Sequence, residues 1–183
     1  SIFMNNTVYN ELARAIPKTL LIGSLGLLLG IMLAIPLGIL AAIRRGTWID
    51  TIVTFISNLV ITVPVFWLGI MLIQVFALRL GWLPTQGYVS PLKDIGEGVR
   101  HIILPIFCLA AFPLCALTRQ TRSSMLEVIR QDYIRTAWSK GLGEFMIIKK
   151  HALKNSLIPV VTVAGLMARV TIGGQVLIET VFN

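Results

Sequence analysis

Four long apolar segments, separated by short polar ones, dominate the hydropathy pattern of the chain. A helix rises about 1.5 Å per residue, so about 20 apolar residues cross a hydrocarbon core that is about 30 Å thick. The pattern therefore predicts four transmembrane helices, with Pro64 interrupting the second one. The four segments are residues 19–43, 51–78, 101–118 and 155–178.

The composition indicates that a bilayer is the solvent of these segments. The chain is 56% hydrophobic and 13% charged, and its mean hydropathy is +0.83. A soluble domain of 183 residues does not need that much apolar surface to fill its core. We therefore expect an all-α, polytopic transmembrane helical bundle that forms one domain over residues 1–183.

The positive charge of the chain indicates topology. The net charge of +8 does not indicate a nucleic-acid site, because the basic residues lie between the apolar segments and form no single stripe. Lys and Arg collect in cytoplasmic loops. Residues 44–45 are both Arg, and residues 119–154 hold eight Lys and Arg, so both are predicted to be cytoplasmic. The loop of about residues 80–100, where Lys93 and Arg100 are balanced by two acids, is predicted to face the other side.

Residues 119–154 are too polar to span a membrane, yet their apolar positions recur at helical spacing. One stripe contains Leu126, Ile129, Tyr133, Ile134, Ala137 and Trp138. We predict an amphipathic helix that ends at the glycines 141 and 143, followed by a second helical stretch over residues 144–154. Two interpretations fit this pattern: the helix docks into a groove on a cytoplasmic partner, or it lies flat on anionic lipid.

The run Asp-Tyr-Ile-Arg-Thr-Ala-Trp-Ser-Lys-Gly-Leu at residues 132–142 resembles the coupling-helix motif of the dipeptide, oligopeptide and nickel permease subunits of ABC importers. In the wider superfamily the motif reads Glu-Ala-Ala, three residues, then Gly. Here Arg135, Thr136, Ala137 and Gly141 stand at those positions, and Arg in place of Glu is similar to the peptide and nickel branch. Trp138 departs from that branch, in which a small or basic residue is expected. Further similar runs are residues 35–38, 64–67, 103–105, 121–128, 151–155 and 158–161.

The resemblance implies the core of a type I ABC importer permease (MetI-like) with a cytoplasmic coupling helix in a bacterial cell membrane. The implied substrate is a small solute, most readily a di- or oligopeptide or nickel, with glutathione also open. The implied partners are a second, homologous permease, two cytoplasmic ATP-binding subunits that hold ATP and magnesium, and an extracytoplasmic substrate-binding protein. This chain itself needs no cofactor. Relative to the family, we expect a fragment without the first and last helices.

The resemblance also implies a docking site for the ATP-binding subunit within a coupling segment of about residues 119–154. The expected docking residues are Asp132, Tyr133, Ile134, Arg135, Thr136, Ala137, Gly141 and Leu142.

Arg169 is the other candidate site residue, because a charge in the middle of a span is costly unless it faces a pore, a partner or a counter-ion. We expect it to face the translocation path or the companion permease; the alternative is that it snorkels to the interface.

Other kinds of site are not indicated. The chain lacks a Gly-x4-Gly-Lys-Ser/Thr phosphate loop and a Gly-x-Ser-x-Gly run, so neither ATP hydrolysis nor an intramembrane serine enzyme is predicted. His101 and His151 have no acidic or thiol companions at ligand spacing, and no metal site is predicted. Cys108 and Cys115 are expected to be packing residues. A passive channel or a structural membrane protein stays compatible with the spans alone, and only the coupling motif argues against these two.

Overall fold

The computed structural model describes residues 8–91 and 94–182, so the expectation for Lys93 lies outside the described residues. The described chain is helical and confirms the all-α class. In order, the helices are α1 (Val8–Ile43), α2 (Trp48–Thr62), α3 (Val65–Leu72), α4 (Ile95–Ile129), α5 (Asp132–Ser139), α6 (Glu144–Met146) and α7 (Leu153–Phe182). A π-helical stretch, Ile73–Arg79, extends α3, and a second one, Ile147–Ala152, joins α6 to α7.

Within the described residues, three helical stretches are long and apolar enough to cross a membrane. They are Ala15–Ile43, Ile95–Ile129 and Glu144–Gln175, and they contain the first, third and most of the fourth predicted segments. The fourth candidate is the pair Trp48–Thr62 and Val65–Arg79, which is long and apolar enough to cross a membrane only when both helices are counted as one span. The bundle therefore contains the predicted spans, but the second one has an unexpected form.

The prediction of one interrupted helix over residues 51–78 is wrong. Val63 and Pro64 leave the helix in extended conformation, with ψ of 126° and 134°, and α2 and α3 meet at 104°. Proline lacks the N–H for the helical ladder and pushes the residue before it out of the helical region, which accounts for the break. α1, α4 and α7 continue through the prolines at 17, 36, 105, 113 and 159, so a proline in an apolar segment does not by itself end a helix here.

The third predicted span, residues 101–118, is the central part of a much longer helix. α4 begins at Ile95 because the Asp94 carboxylate caps it, accepting a hydrogen bond from the Glu97 N–H at 3.1 Å. It continues to Ile129, since polar residues after Thr118 end the apolar segment without ending the helix. The loop predicted for residues 80–100 is correspondingly shorter.

α1 packs tightly along α4 through small residues. Gly26, Gly30, Ala34, Gly38 and Ala42 recur every fourth residue and so form one face of α1. A Cβ atom added to Gly38 would lie 2.5 Å from the Thr121 Cβ and 2.7 Å from the Thr118 carbonyl oxygen. Small residues at this spacing let two membrane helices approach closely. α7, α2 and α3 pack on the remaining faces of α4, and α4 is therefore the central helix of the bundle.

Candidate functional site

The amphipathic segment folds back onto one end of the bundle. Leu126 and Ile129 belong to α4, and the chain turns at Arg130 and Gln131 before α5 begins. The prediction that they share one helix with Tyr133 and the residues after it is therefore wrong. The turn contains neither Gly nor Pro; the Arg130 and Gln131 N–H groups close it by donating to the Glu127 and Val128 carbonyls at 3.2 and 3.0 Å.

α5 has an apolar face that is built into the membrane domain. Its two buried residues, Ile134 and Ala137, are 1% and 6% exposed. They belong to one buried cluster with Ala42 of α1, Met125 of α4, and Ile147 and Ala152 of the second π-helical stretch. This cluster therefore connects α5 to α1, to α4 and to the π-helical stretch that leads into α7.

The other face of α5 is exposed. Asp132 and Arg135 have side chains that are 97% and 80% exposed and lie 3.7 Å apart, an arrangement that contributes little to stability. Thr136 is also exposed, and its hydroxyl donates only to the Asp132 carbonyl of its own helix, at 3.0 Å. Tyr133 and Trp138 are about half exposed, at 42% and 48%. Charges and aromatic rings on an open helix face can contact another protein without disturbing the fold.

Gly141 follows the end of α5, where the sequence predicts that the helix breaks. Its φ is +74°, which is the left-handed region in which glycine carries no steric penalty. The Gly141 N–H donates to the Trp138 carbonyl at 2.9 Å, and the Leu142 N–H donates to the Ala137 carbonyl at 3.4 Å. Leu142 then packs, half-buried, against the cluster below α5. The second predicted helical stretch is confirmed as α6 and the π-helical stretch that leads into α7.

A side-chain hydrogen bond holds the start of α5 against α7. The Asn155 amide donates to the Tyr133 hydroxyl at 2.8 Å. Asn155 lies in the first turn of α7, where the chain leaves the amphipathic segment. The start of α5 is therefore tied to the first turn of α7 as well as to the buried cluster.

An ion pair that the sequence interpretation did not anticipate joins Arg122, near the start of this segment, to Asp50. The Arg122 guanidinium of α4 donates from Nε and Nη2 to the two carboxylate oxygens of Asp50 in the first turn of α2, at 2.8 Å for the Nη2 bond. Asp50 is only 6% exposed. Its carboxylate also accepts hydrogen bonds from the Gly46 N–H at 3.1 Å and the Thr54 hydroxyl at 3.4 Å.

The remaining sequence candidates are dispersed. Arg169 lies on the exposed side of α7, far along the chain from α5, and the structure leaves its role a prediction. Cys108 and Cys115 are free and buried in α4, as expected for packing residues. The His101 ring Nδ1 lies 2.8 Å from the Glu97 carbonyl of its own helix. Within residues 8–91 and 94–182, no three His, Cys, Asp or Glu side chains are grouped so that they could hold a metal ion.

Membrane-length apolar helices and an amphipathic helix packed on their ends define a polytopic, membrane-embedded protein. The family described as "Binding-protein-dependent transport system inner membrane component" matches residues 34–183, and the chain belongs to this family. The resemblance identified from the motif is thereby confirmed.

Individual relatives are similar over nearly the whole chain. The oligopeptide transport system permease protein AppB of Bacillus subtilis is 44% identical over 187 residues, covering 100% of this chain and 59% of the relative. The dipeptide transport system permease protein DppB of Alkalihalophilus pseudofirmus is 36% identical, covering 100% and 61%. The di/tripeptide transport system permease protein DppB of Pseudomonas aeruginosa is 37% identical, covering 96% and 58%. The chain thus spans about three fifths of the length of these relatives.

Proposed function

We propose that the chain is the permease subunit of an ATP-driven ABC importer and forms part of the path of a peptide across a bacterial cell membrane. It pairs with a second, homologous permease, receives substrate from an extracytoplasmic binding protein, and is driven by two cytoplasmic ATP-binding subunits. Those subunits hold ATP and magnesium, so this chain carries no cofactor and no hydrolytic site. Family membership and the names of the relatives support this proposal.

The observation that carries the proposal is the two-sided packing of α5. Ile134 and Ala137 are buried against α1, α4 and the start of α7, while Arg135 and Thr136 of the same helix are exposed. A helix that is fixed to the membrane helices on one side and open on the other is suited to receive a push from a partner and to pass it on. In this proposal α5 sits in a cleft of an ATP-binding subunit.

The predicted docking residues take two roles in this arrangement. Asp132, Tyr133, Arg135 and Thr136 are exposed and contact the ATP-binding subunit. Ile134, Ala137 and Leu142 face the membrane domain and hold α5 in place, and Gly141 gives the turn that ends it. The proposed docking surface therefore contains four of the eight residues that the motif predicts.

Peptides are the favoured substrate class within the proposal. The three relatives carry the words oligopeptide, dipeptide and di/tripeptide in their names, whereas nickel and glutathione do not occur in them.

In the proposed membrane topology residues 119–154 face the cytoplasm, and Arg169 on the open side of α7 faces the translocation path or the second permease. A charge on an exposed face of a membrane helix needs such surroundings to be tolerated.

The docking test places a bulky side chain on the exposed face of α5. Thr136→Trp leaves the buried cluster intact, because Thr136 lies on the exposed face of α5 and its hydroxyl donates to the Asp132 carbonyl of the same helix. The full-length permease is purified from cells that express all subunits, and the amount of bound ATP-binding subunit is measured. The matched control is Thr85→Trp, at an exposed threonine in the loop between the second and third spans.

We expect Thr136→Trp to release the ATP-binding subunits and to abolish ATP-dependent peptide uptake in proteoliposomes, while Thr85→Trp keeps the subunits bound. Retention of the subunits by Thr136→Trp contradicts the docking proposal. The lipid-surface interpretation predicts that retention, because tryptophan is favoured at the membrane interface.

A further inference from the structure

Asp50 and Arg122 form a rigid connection between α2 and α4. The guanidinium uses two donors against the two oxygens of one carboxylate, so both the distance and the relative orientation of the groups are fixed. Two further donors, the Gly46 N–H and the Thr54 hydroxyl, hold the same carboxylate on the α2 side. The carboxylate therefore moves with α2 and with the turn between α1 and α2.

A largely buried ion pair is weak evidence for a stabilising role. Desolvation of the two charges offsets most of their attraction, and apolar residues often give equal stability at such positions. Removing only one partner is costly, however, because the other charge is left buried. The pair is therefore better explained by the fixed orientation that it gives to α2 relative to α4 than by a net gain in stability.

The position of the pair along α4 connects it to α5. Met125 lies one helical turn after Arg122, is 0% exposed, and belongs to the buried cluster with Ile134 and Ala137. A movement of α5 therefore reaches α4 at Met125. The pair lies beside that contact, at the point where α4 touches the first turn of α2.

The far end of α2 borders a cavity. α2 ends at the break at Val63 and Pro64, and a predominantly apolar cavity of about 250 Å³ lies there, with Val60, Leu68, Phe112 and Val170 among its lining residues. The bend of 104° between α2 and α3 therefore lies at a cavity, where the extended residues Val63 and Pro64 join the two helices. The four helices that line this cavity are α2, α3, α4 and α7.

We propose that Asp50 and Arg122 are positioning residues of the transport cycle: they make α2 follow α4, so that a push on α5 also changes the bend between α2 and α3. The proposal rests on the proposed function, since it takes α5 as the place where an ATP-binding subunit pushes. The link lies entirely within this chain, and its geometry can be measured separately from docking.

The test uses the full-length transporter with Arg122→Lys, which keeps the charge and loses the two-pronged geometry, and with Asp50→Asn, which keeps the shape and loses the charge. Arg119→Lys is the matched control, because Arg119 is an exposed cation on the same helix. Spin labels at the exposed positions Trp48 and Glu127 report the separation of α2 and α4 in the nucleotide-free and ATP-trapped states.

With the pair intact, or with Arg119→Lys, we expect the same label separation in both states. In the two pair variants we expect the label separation to depend on nucleotide. The ATP-binding subunits should stay bound and basal ATP hydrolysis should be unchanged. The amount of peptide transported per ATP should fall about 5- to 150-fold, which is the usual range of coupling between sites.

Three results overturn the proposal. One is a label separation that already changes with nucleotide when the pair is intact. Another is full transport coupling in both pair variants. The third is disassembly of both variants, with a lowered melting temperature, which assigns the pair a structural role only. Failure of the proposed function is distinguishable from all three, because the ATP-binding subunits are then absent from the unmodified complex as well.

Discussion

Ile134 is the residue whose removal most directly tests how α5 is held. α5 has only eight residues, and a helix that short is not stable alone in water, so its packing has to supply its stability. Ile134 is 1% exposed and is the larger of its two buried side chains. Ile134→Ala removes three carbon atoms from a closed cluster, and such a change costs about 2–5 kcal/mol.

That cost acts on the local opening of α5, because the membrane helices keep their other contacts. Each 1.4 kcal/mol changes an equilibrium about tenfold, so α5 should open roughly 30-fold to several thousand-fold more often. Hydrogen–deuterium exchange measured by mass spectrometry on the full-length permease reads this directly from the amides of α5. Thr136→Ala is the control on the same helix, since that side chain is exposed and bonds only within α5.

We expect fast exchange in α5 for Ile134→Ala and unchanged or slower exchange for Thr136→Ala, with α4 and α7 protected in both. If α5 exchanges at the same rate in Ile134→Ala and in the unmodified protein, the buried cluster does not hold the helix, and the argument for transmission through it fails. Within the proposed function, Ile134→Ala also lowers transport per ATP while the membrane bundle stays folded.

Two further outcomes are expected. Gly38→Ala places a methyl group 2.5 Å from the Thr121 Cβ and should destabilise the bundle by about 1–3 kcal/mol. Gly165→Ala, whose added Cβ would meet no neighbouring atom within 4 Å, should be neutral or stabilising. Melting temperatures in detergent compare the two variants, and equal values contradict the close approach of α1 and α4. Arg169→Leu should reduce transport or assembly with the second permease, and intact uptake and assembly exclude the proposed role of that charge.

Hydropathy was sufficient to predict the spans because a bilayer imposes a length on every apolar helix. It was insufficient at Pro64, since proline is tolerated in membrane helices and the sequence does not indicate whether neighbours absorb the lost hydrogen bond. The helix continues past Pro105 and Pro113, which are buried in the central helix α4, and breaks at Pro64, which is exposed. Local sequence at these prolines does not contain that difference.

The amphipathic character of residues 119–154 could be predicted from the sequence, but their shape only in part. Period-3.6 spacing extends from Leu126 to Trp138, because Leu126 and Ile129 face the same cluster as Ile134, and the turn at Arg130 has no Gly or Pro to mark it. The end of α5 could be predicted from Gly141, since the positive φ of the turn there favours glycine. Asp50 was visible only as an acid beside an apolar segment, and its partner is 72 residues away in sequence.

The buried cluster also bears on the choice between docking and a lipid surface. A helix that lies on a membrane needs a free apolar face to insert between headgroups. In α5 that face is already occupied, because Ile134 and Ala137 pack against Met125 and Ile147. The free face carries Asp132 and Arg135 beside the half-exposed rings of Tyr133 and Trp138. Charged side chains beside aromatic rings suit a protein groove better than hydrocarbon. The amphipathic pattern alone allowed both interpretations. Because the apolar face of α5 is buried inside this chain, the pattern now supports docking.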